Sequence, residues 1–248
     1  MMLILIKSKV NTMIKSLSFL SILLVLLAAT SVASFEFQLP KWNPVGPTSL
    51  LTTPKPSSKA LLSELNNLIS EAPVNGIDTP PELESEIIQV CQQLEAINPT
   101  RKPTKSDTIN GFWKMLWTNF DPPAPSSGKL GPLTGTVYQD LDLSAPSARN
   151  ILKISFPPIA GELYADPKII NDTTASITFV SVGNKIGGVI PLGPKIQFEE
   201  GKEVRLWEHI YLDDEYRILY ARRADETDSR GFLYVMKRAE EERFSTNV

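Results

Sequence analysis

From residue 111 to residue 238 apolar and polar residues alternate with a period of two, and no useful length of helical spacing breaks the pattern. The alternation predicts strands over residues 112–118, 135–143, 150–156, 161–170, 174–181, 185–198, 203–212, 216–222 and 231–238. Eight or nine short antiparallel strands in a row point to a closed barrel or a sandwich. Without helices between the strands, a Rossmann fold and an α/β barrel are excluded. Gly183-Asn184 and Glu200-Gly201 fit hairpin turns, and Asp213-Asp214-Glu215 makes a polar corner.

Before the strands the period is helical. Leu61, Leu62, Leu65, Leu68 and Ile69 share one face of residues 58–72, which Pro73 ends. Thr79-Pro80-Pro81-Glu82 reads as a second start, with Thr79 capping, Pro80 in the first turn and Glu82 reaching back to the cap amide. Leu83, Ile87, Val90, Cys91, Leu94 and Ile97 line that helix, and Asn98-Pro99 stops it. Cys91 on this stripe is a packed small residue rather than a reactive thiol. The strand runs at 206–207, 210–212 and 232–236 are apolar on both faces. Either the helices cover their outer face, or their inner face lines an apolar pocket, which an eight-stranded barrel is wide enough to hold.

Ahead of this body, residues 1–34 have the parts of a secretory signal: Lys7, Lys9 and Lys15, an apolar region over 17–29, and Val32-Ala33-Ser34 as small residues for cleavage. The apolar region is shorter than the roughly 20 residues a membrane-crossing helix needs. Met13 offers a second start, since residues 13–34 alone make a complete signal. Phe35 follows the junction, and residues 35–59 are rich in Pro, Ser and Thr and nearly free of acids. That composition fits a plastid transit peptide, and a signal followed by Phe and such a segment looks like the address of a secondary plastid reached through the endoplasmic reticulum. A Pro-rich linker of a secreted protein has the same composition. Asn171-Asp172-Thr173 is a glycosylation sequon along such a route. Residues 60–239 then form one domain, followed by a polar tail, 240–248.

Composition narrows the chemistry. One cysteine excludes an intramolecular disulfide, and one histidine, His209, excludes zinc sites built on several His and Cys ligands. Residues 1–59 hold six of the 25 basic residues and one of the 28 acids, so the remainder has 19 against 27, net −8. An acidic body is a poor partner for nucleic acid. No constellation of nucleophile, base and oxyanion donor stands out, so no catalytic residue, metal ligand or cofactor site is expected.

Two motifs resemble the plastid lipid-associated proteins, also called plastid fibrillins. The first is Leu94-Glu95-Ala96-Ile97-Asn98-Pro99-Thr100, then Pro103 and Asn110-Gly111-Phe112-Trp113-Lys114-Met115-Leu116-Trp117-Thr118. The family reads Gly-x-Trp-x-Leu-x-Tyr-Thr there, with Met115 and Trp117 standing for Leu and Tyr. The second is Tyr211-Leu212-Asp213-Asp214-Glu215-Tyr216-Arg217-Ile218, then Arg222 or Arg223, and Gly231-Phe232-Leu233-Tyr234-Val235. An insertion at 224–229 lengthens the last hairpin. The resemblance implies a lipocalin-like antiparallel β-barrel preceded by the two short α-helices. It also implies a plastid location at plastoglobules or thylakoids, and binding of apolar lipids such as prenylquinones and carotenoids without a shared catalytic site. An interaction subunit that organises a photosynthetic or prenyl-lipid enzyme complex is the alternative, and a secreted lipocalin-like carrier a third.

The candidate ligand-binding residues are Trp207, Tyr211, Glu208, Arg217 and Arg222. Trp207, His209 and Tyr211 alternate onto one face of the 203–212 strand, where an aromatic stripe serves as core or as ligand cradle. His209 reads as a hydrogen-bonded packing residue. Glu208 falls on the opposite face with Val204, Leu206, Ile210 and Leu212, so it is expected to be buried and paired, with Arg222 or Lys237 as partner. Asp213, Asp214, Glu215 and Arg217 are either a polar grip at the barrel mouth or a hairpin corner locked by an Asp–Arg pair.

Overall fold

The hydroxyl of Ser57 accepts the Ala60 N–H at 3.3 Å, and helix α1 runs from there over Ser58–Glu71. The computed structural model describes residues 56–120, 125–187 and 189–240. Of the address read over residues 1–59, residues 1–55 lie outside the described residues, as do residues 241–248 of the tail, while Ser58 and Lys59 already belong to helix α1. Helix α2, Pro81–Glu95, starts one residue later than expected, with Pro80 as its N-cap and no side-chain cap. Thr79 instead donates to the Gly76 carbonyl at 2.7 Å and accepts from the indole of Trp117 at 3.1 Å. A tertiary contact has taken the hydroxyl that the local pattern assigns to the helix end.

The strands are β1 (Gly111–Thr118), β2 (Lys129–Leu130), β3 (Leu133–Thr134), β4 (Thr136–Asp142), β5 (Ser147–Ile154), β6 (Ile159–Ile169), β7 (Thr174–Ile186), β8 (Ile190–Pro191), β9 (Ile196–Gln197), β10 (Val204–Leu212), β11 (Tyr216–Arg223) and β12 (Phe232–Arg238). Eight of them close an antiparallel barrel in the order β1, β4, β5, β6, β7, β10, β11, β12. Closure is made where β7 meets β10, from Val204 opposite Thr178 to Glu208 opposite Thr174, and where β12 returns to β1 with Arg238 opposite Trp113. The strand expected over 185–198 does not form. β7 runs on to Ile186, and the chain then turns back as the short β8 and β9, which pair with it. Pro191 cannot donate to a ladder, and Gly187 and Gly193 adopt positive φ.

Two apolar layers result. Trp113, Met115, Val137, Leu141, Leu152, Ile177, Trp207, Leu219 and Met236 fill the barrel. Leu61, Leu65, Ile87, Val90, Cys91 and Leu94 of the helices cover the outer face of β10–β12, packing on Tyr211, Tyr216, Ile218, Leu233 and Val235. Burial pushes the Cys91 thiol well above its usual range, so it stays protonated. Both motif glycines have steric reasons: a Cβ on Gly111 (φ 132°) would overlap the Arg238 guanidinium, and one on Gly231 (φ 86°) the Ala221 carbonyl. Asn98 of the first motif caps the end of β10, its carboxamide oxygen accepting the Leu212 N–H at 3.0 Å, and Thr100 donates to the Leu212 carbonyl at 2.7 Å.

One end of the barrel is sealed by the 3₁₀ turns Pro103–Lys105 and Asp107–Ile109. Thr104 donates to the Asn171 carbonyl at 2.7 Å, and the Trp113 indole to Ile109 at 2.9 Å. Arg238 stacks over Trp113 at 4.1 Å and donates to the carbonyls of Thr108, Asn110 and Asp214. On the outer wall, Glu162 is buried among Lys185 at 2.8 Å, Arg149 at 3.5 Å and the Tyr164 hydroxyl, which donates to it.

Candidate functional site

The strand pairing decides which side chains enter the barrel. Opposed residues point to the same face, so Trp207 opposite Ala221 and His209 opposite Leu219 look inward. Between His209 and Tyr211 the register slips by one residue. This bulge inserts Ile210 and turns Tyr211 outward, while Leu212, opposite Arg217, returns to the interior. Tyr211 therefore does not share a face with Trp207 and His209. It lies under the helices, its hydroxyl donating to Asp213 at 2.7 Å.

Arg217 enters the barrel. Its side chain is fully buried, with the guanidinium 5.2 Å from the Trp113 ring centre and 5.8 Å from that of Trp207. Nη2 donates to the side-chain oxygen of Gln139, which faces inward opposite Trp113 on one side and Asn150 on the other. Nε and Nη1 have no partner, and neither ring nitrogen of buried His209 has one. Among the described residues, no inward-facing position of the eight barrel strands carries a carboxylate. Desolvation, with the charge of Arg238, lowers the Arg217 pKa to about 9, so the guanidinium remains charged at neutral pH. Desolvation, then the charge of Arg217, holds His209 well below 6.5, so its ring is neutral.

Above this polar floor the wall is mainly apolar, with Asn150, Asn184, Arg205 and Arg223 as its polar positions. Inward-facing Leu163, Phe179, Val182, Ala221 and Phe232 are partly buried at the end opposite the 3₁₀ turns, where Leu130, Leu133 and Phe120 of the segment between β1 and β4 pack against the interior, the Phe120 ring 4.7 Å from that of Phe232. The inward-facing arginines at that rim are already paired, Arg205 with Glu203 at 3.3 Å and Arg223 with Asp225 at 3.0 Å.

The structure brings Trp207 and Arg217 together and separates the other candidates. Glu208 faces outward and is half-exposed. Its partner is neither Arg222 nor Lys237 but Arg230, at 2.6 Å, which also holds Glu95 of α2 at 2.9 Å. Arg222 also faces outward, donating to the carbonyls of Arg223 and Glu226. The Asp213 corner is a hairpin turn without the Asp–Arg pair: one Asp213 oxygen accepts the N–H groups of Glu215 and Tyr216 at 2.8 and 2.6 Å, and Arg217 points away into the barrel. The sequence reading missed Gln139 and took His209 for a hydrogen-bonded residue. A polar residue between Val137 and Leu141 on the apolar face of its strand is the signal for Gln139.

The chain is 27% identical over 143 residues to the Arabidopsis thaliana protein named "Probable plastid-lipid-associated protein 5, chloroplastic", covering 58% of this chain and 57% of that protein. It is 29% identical over 86 residues to "Plastid lipid-associated protein 3, chloroplastic" of Brassica campestris, covering 33% of this chain and 24% of the relative. The chain thus spans little more than half of the first relative and about a quarter of the second. No solved structure matches it significantly. The PAP_fibrillin family model matches residues 59–225, more than half of the chain and most of the barrel, and the chain belongs to that family.

Proposed function

We propose that this protein is a non-enzymatic plastid lipid-associated protein that takes the chain of an apolar lipid into its barrel, with the oxygenated end of the lipid against Arg217 and His209. The observation that carries this reading is the pair of fully buried polar side chains with unpaired nitrogens at the base of a mainly apolar interior. Buried donors without acceptors cost free energy that a ligand oxygen offsets. Of the ligands the family resemblance implies, a prenylquinone offers such oxygens and a hydrocarbon carotenoid does not. The chloroplastic relatives support a plastid location. Entry into a secondary plastid through the endoplasmic reticulum rests on the leader composition alone.

Attachment to a plastoglobule or thylakoid surface has a separate support. Phe156, Val189 and Ile190 are 88%, 69% and 66% exposed at two hairpin tips, which the Gly187 N–H joins at the Pro158 carbonyl, 2.7 Å away. Exposed apolar residues gathered at one place mark a contact surface. In flotation with galactolipid vesicles, Phe156→Glu with Ile190→Glu should lower the bound fraction severalfold while leaving the fold intact. For the barrel, a decyl-plastoquinone analogue should quench tryptophan emission in the parent and less in Trp207→Ala. Parent and variant binding with equal affinity would remove the ligand from this floor. If no apolar ligand quenches or co-purifies, an interaction subunit becomes the better reading.

A further inference from the structure

The Arg217 donors call for oxygen, but its charge calls for more. A quinone carbonyl or an alcohol satisfies N–H groups and leaves the positive charge buried and unbalanced. A carboxylate does both, and a charge-assisted hydrogen bond is about twice as strong as a neutral one. The other inward-facing basic residues already have what they need: Arg205 has Glu203, Arg223 has Asp225, and Arg238 is held by three carbonyls over Trp113. Arg217 alone among these has only Gln139, a neutral acceptor, with two ring faces beside it. Neutral His209 adds one N–H and no charge. Arg238 lies over the same Trp113 ring, but its donors are spent on the three carbonyls, so the floor offers one guanidinium with free donors, which matches the two oxygens of a single carboxylate better than the many of a diphosphate.

We infer that the barrel selects amphiphiles with one carboxylate, such as long-chain fatty acids, over neutral lipids of the same chain length, with Arg217 as the residue that reads the charge. This rests on the proposed entry of a lipid chain into the barrel.

The test uses the delipidated full chain and three probes of equal length, oleate, methyl oleate and oleyl alcohol, followed by tryptophan emission and by the shift in Tm. Oleate should bind at least about tenfold more tightly than the ester or the alcohol. Arg217→Met should bring oleate down to the level of the ester and leave the ester unchanged. Arg217→Lys, which keeps the charge, should retain part of the preference. The methionine variant should fold, because replacing a buried unpaired charge by an apolar side chain of similar length is neutral or stabilising. Its Tm without ligand should equal or exceed that of the parent. Equal affinity of the parent for oleate and its ester overturns the inference and leaves the barrel-binding reading standing. Failure of all three probes to bind overturns both.

Discussion

His209 is the only histidine in the chain, so its titration can be read without ambiguity. Burial and then the neighbouring Arg217 charge hold it neutral in the fold, whereas the unfolded chain takes up a proton near pH 6.5. The folded pKa is thus the lower one, and the stability it contributes is complete above about pH 6.5 and lost as pH falls below it. Urea midpoints should show a loss of about 1.4 kcal/mol per pH unit below 6.5, and His209→Asn should remove that slope. A parent whose stability is level from pH 7 to 5 would contradict the buried neutral ring. Glu162 acts in a lower window. Desolvation alone would raise its pKa, but the hydrogen bonds from Lys185 and Tyr164, and the charges of Lys185 and Arg149, outweigh it and lower it below 4.5. Its stabilisation is present above about 4.5 and vanishes as pH drops through the folded value. Glu162→Gln should cost about 2 kcal/mol at neutral pH and flatten that lower limb. Neither polar centre was fully legible in the sequence. Gln139 and His209 stand among apolar neighbours, which shows that they are buried but not that their nitrogens or oxygens meet Arg217.

The helices are fixed to the barrel by two unequal means. Leu65 is fully buried between α1 and the sheet, and Leu65→Ala should cost about 3 kcal/mol through lost burial and the cavity left behind. Arg230 joins Glu95 of α2 to Glu208 of β10 over the ring of Tyr220, 4.5 Å away, but all three charged groups are exposed to a third or more. Arg230→Ala should therefore cost about 1 kcal/mol or less, and less still in high salt. Thermal unfolding of both variants at two salt concentrations separates the two contributions. Both helices were legible because a 3.6-residue stripe survives single polar exceptions. The face of Tyr211 was not, because one bulged residue shifts the parity of everything beyond it while leaving composition unchanged. The long β7 was misread for a related reason: Gly183-Asn184 has the composition of a turn, yet both residues stay in the ladder opposite Glu162 and Gly161.

At the scale of the whole molecule the alternation settled on strands, and the pairing of β7 with β10 resolved barrel against sandwich. That pairing joins segments whose sequences carry no mark of each other. Closure also depends on the last strand: β12 supplies Leu233 and Val235 to the helices and Tyr234 and Met236 to the interior. A chain ended at residue 230 should lose the near-ultraviolet dichroism of its packed tryptophans and the cooperative thermal transition together. A retained sharp transition would show that the remaining seven strands and two helices are stable alone. Chain order gives this arrangement a further meaning. Both helices rest on β10–β12, and one edge of β1 waits for β12, so the earliest elements of the domain lack their finished partners until the final strand arrives. Delivered N-terminus first, the chain can pair its consecutive strands β4 to β7 early, but the barrel closes only once β12 has emerged. Late closure concentrates the hazard of aggregation into the interval before the last strand docks, when the apolar faces of the helices and of β1 are still uncovered.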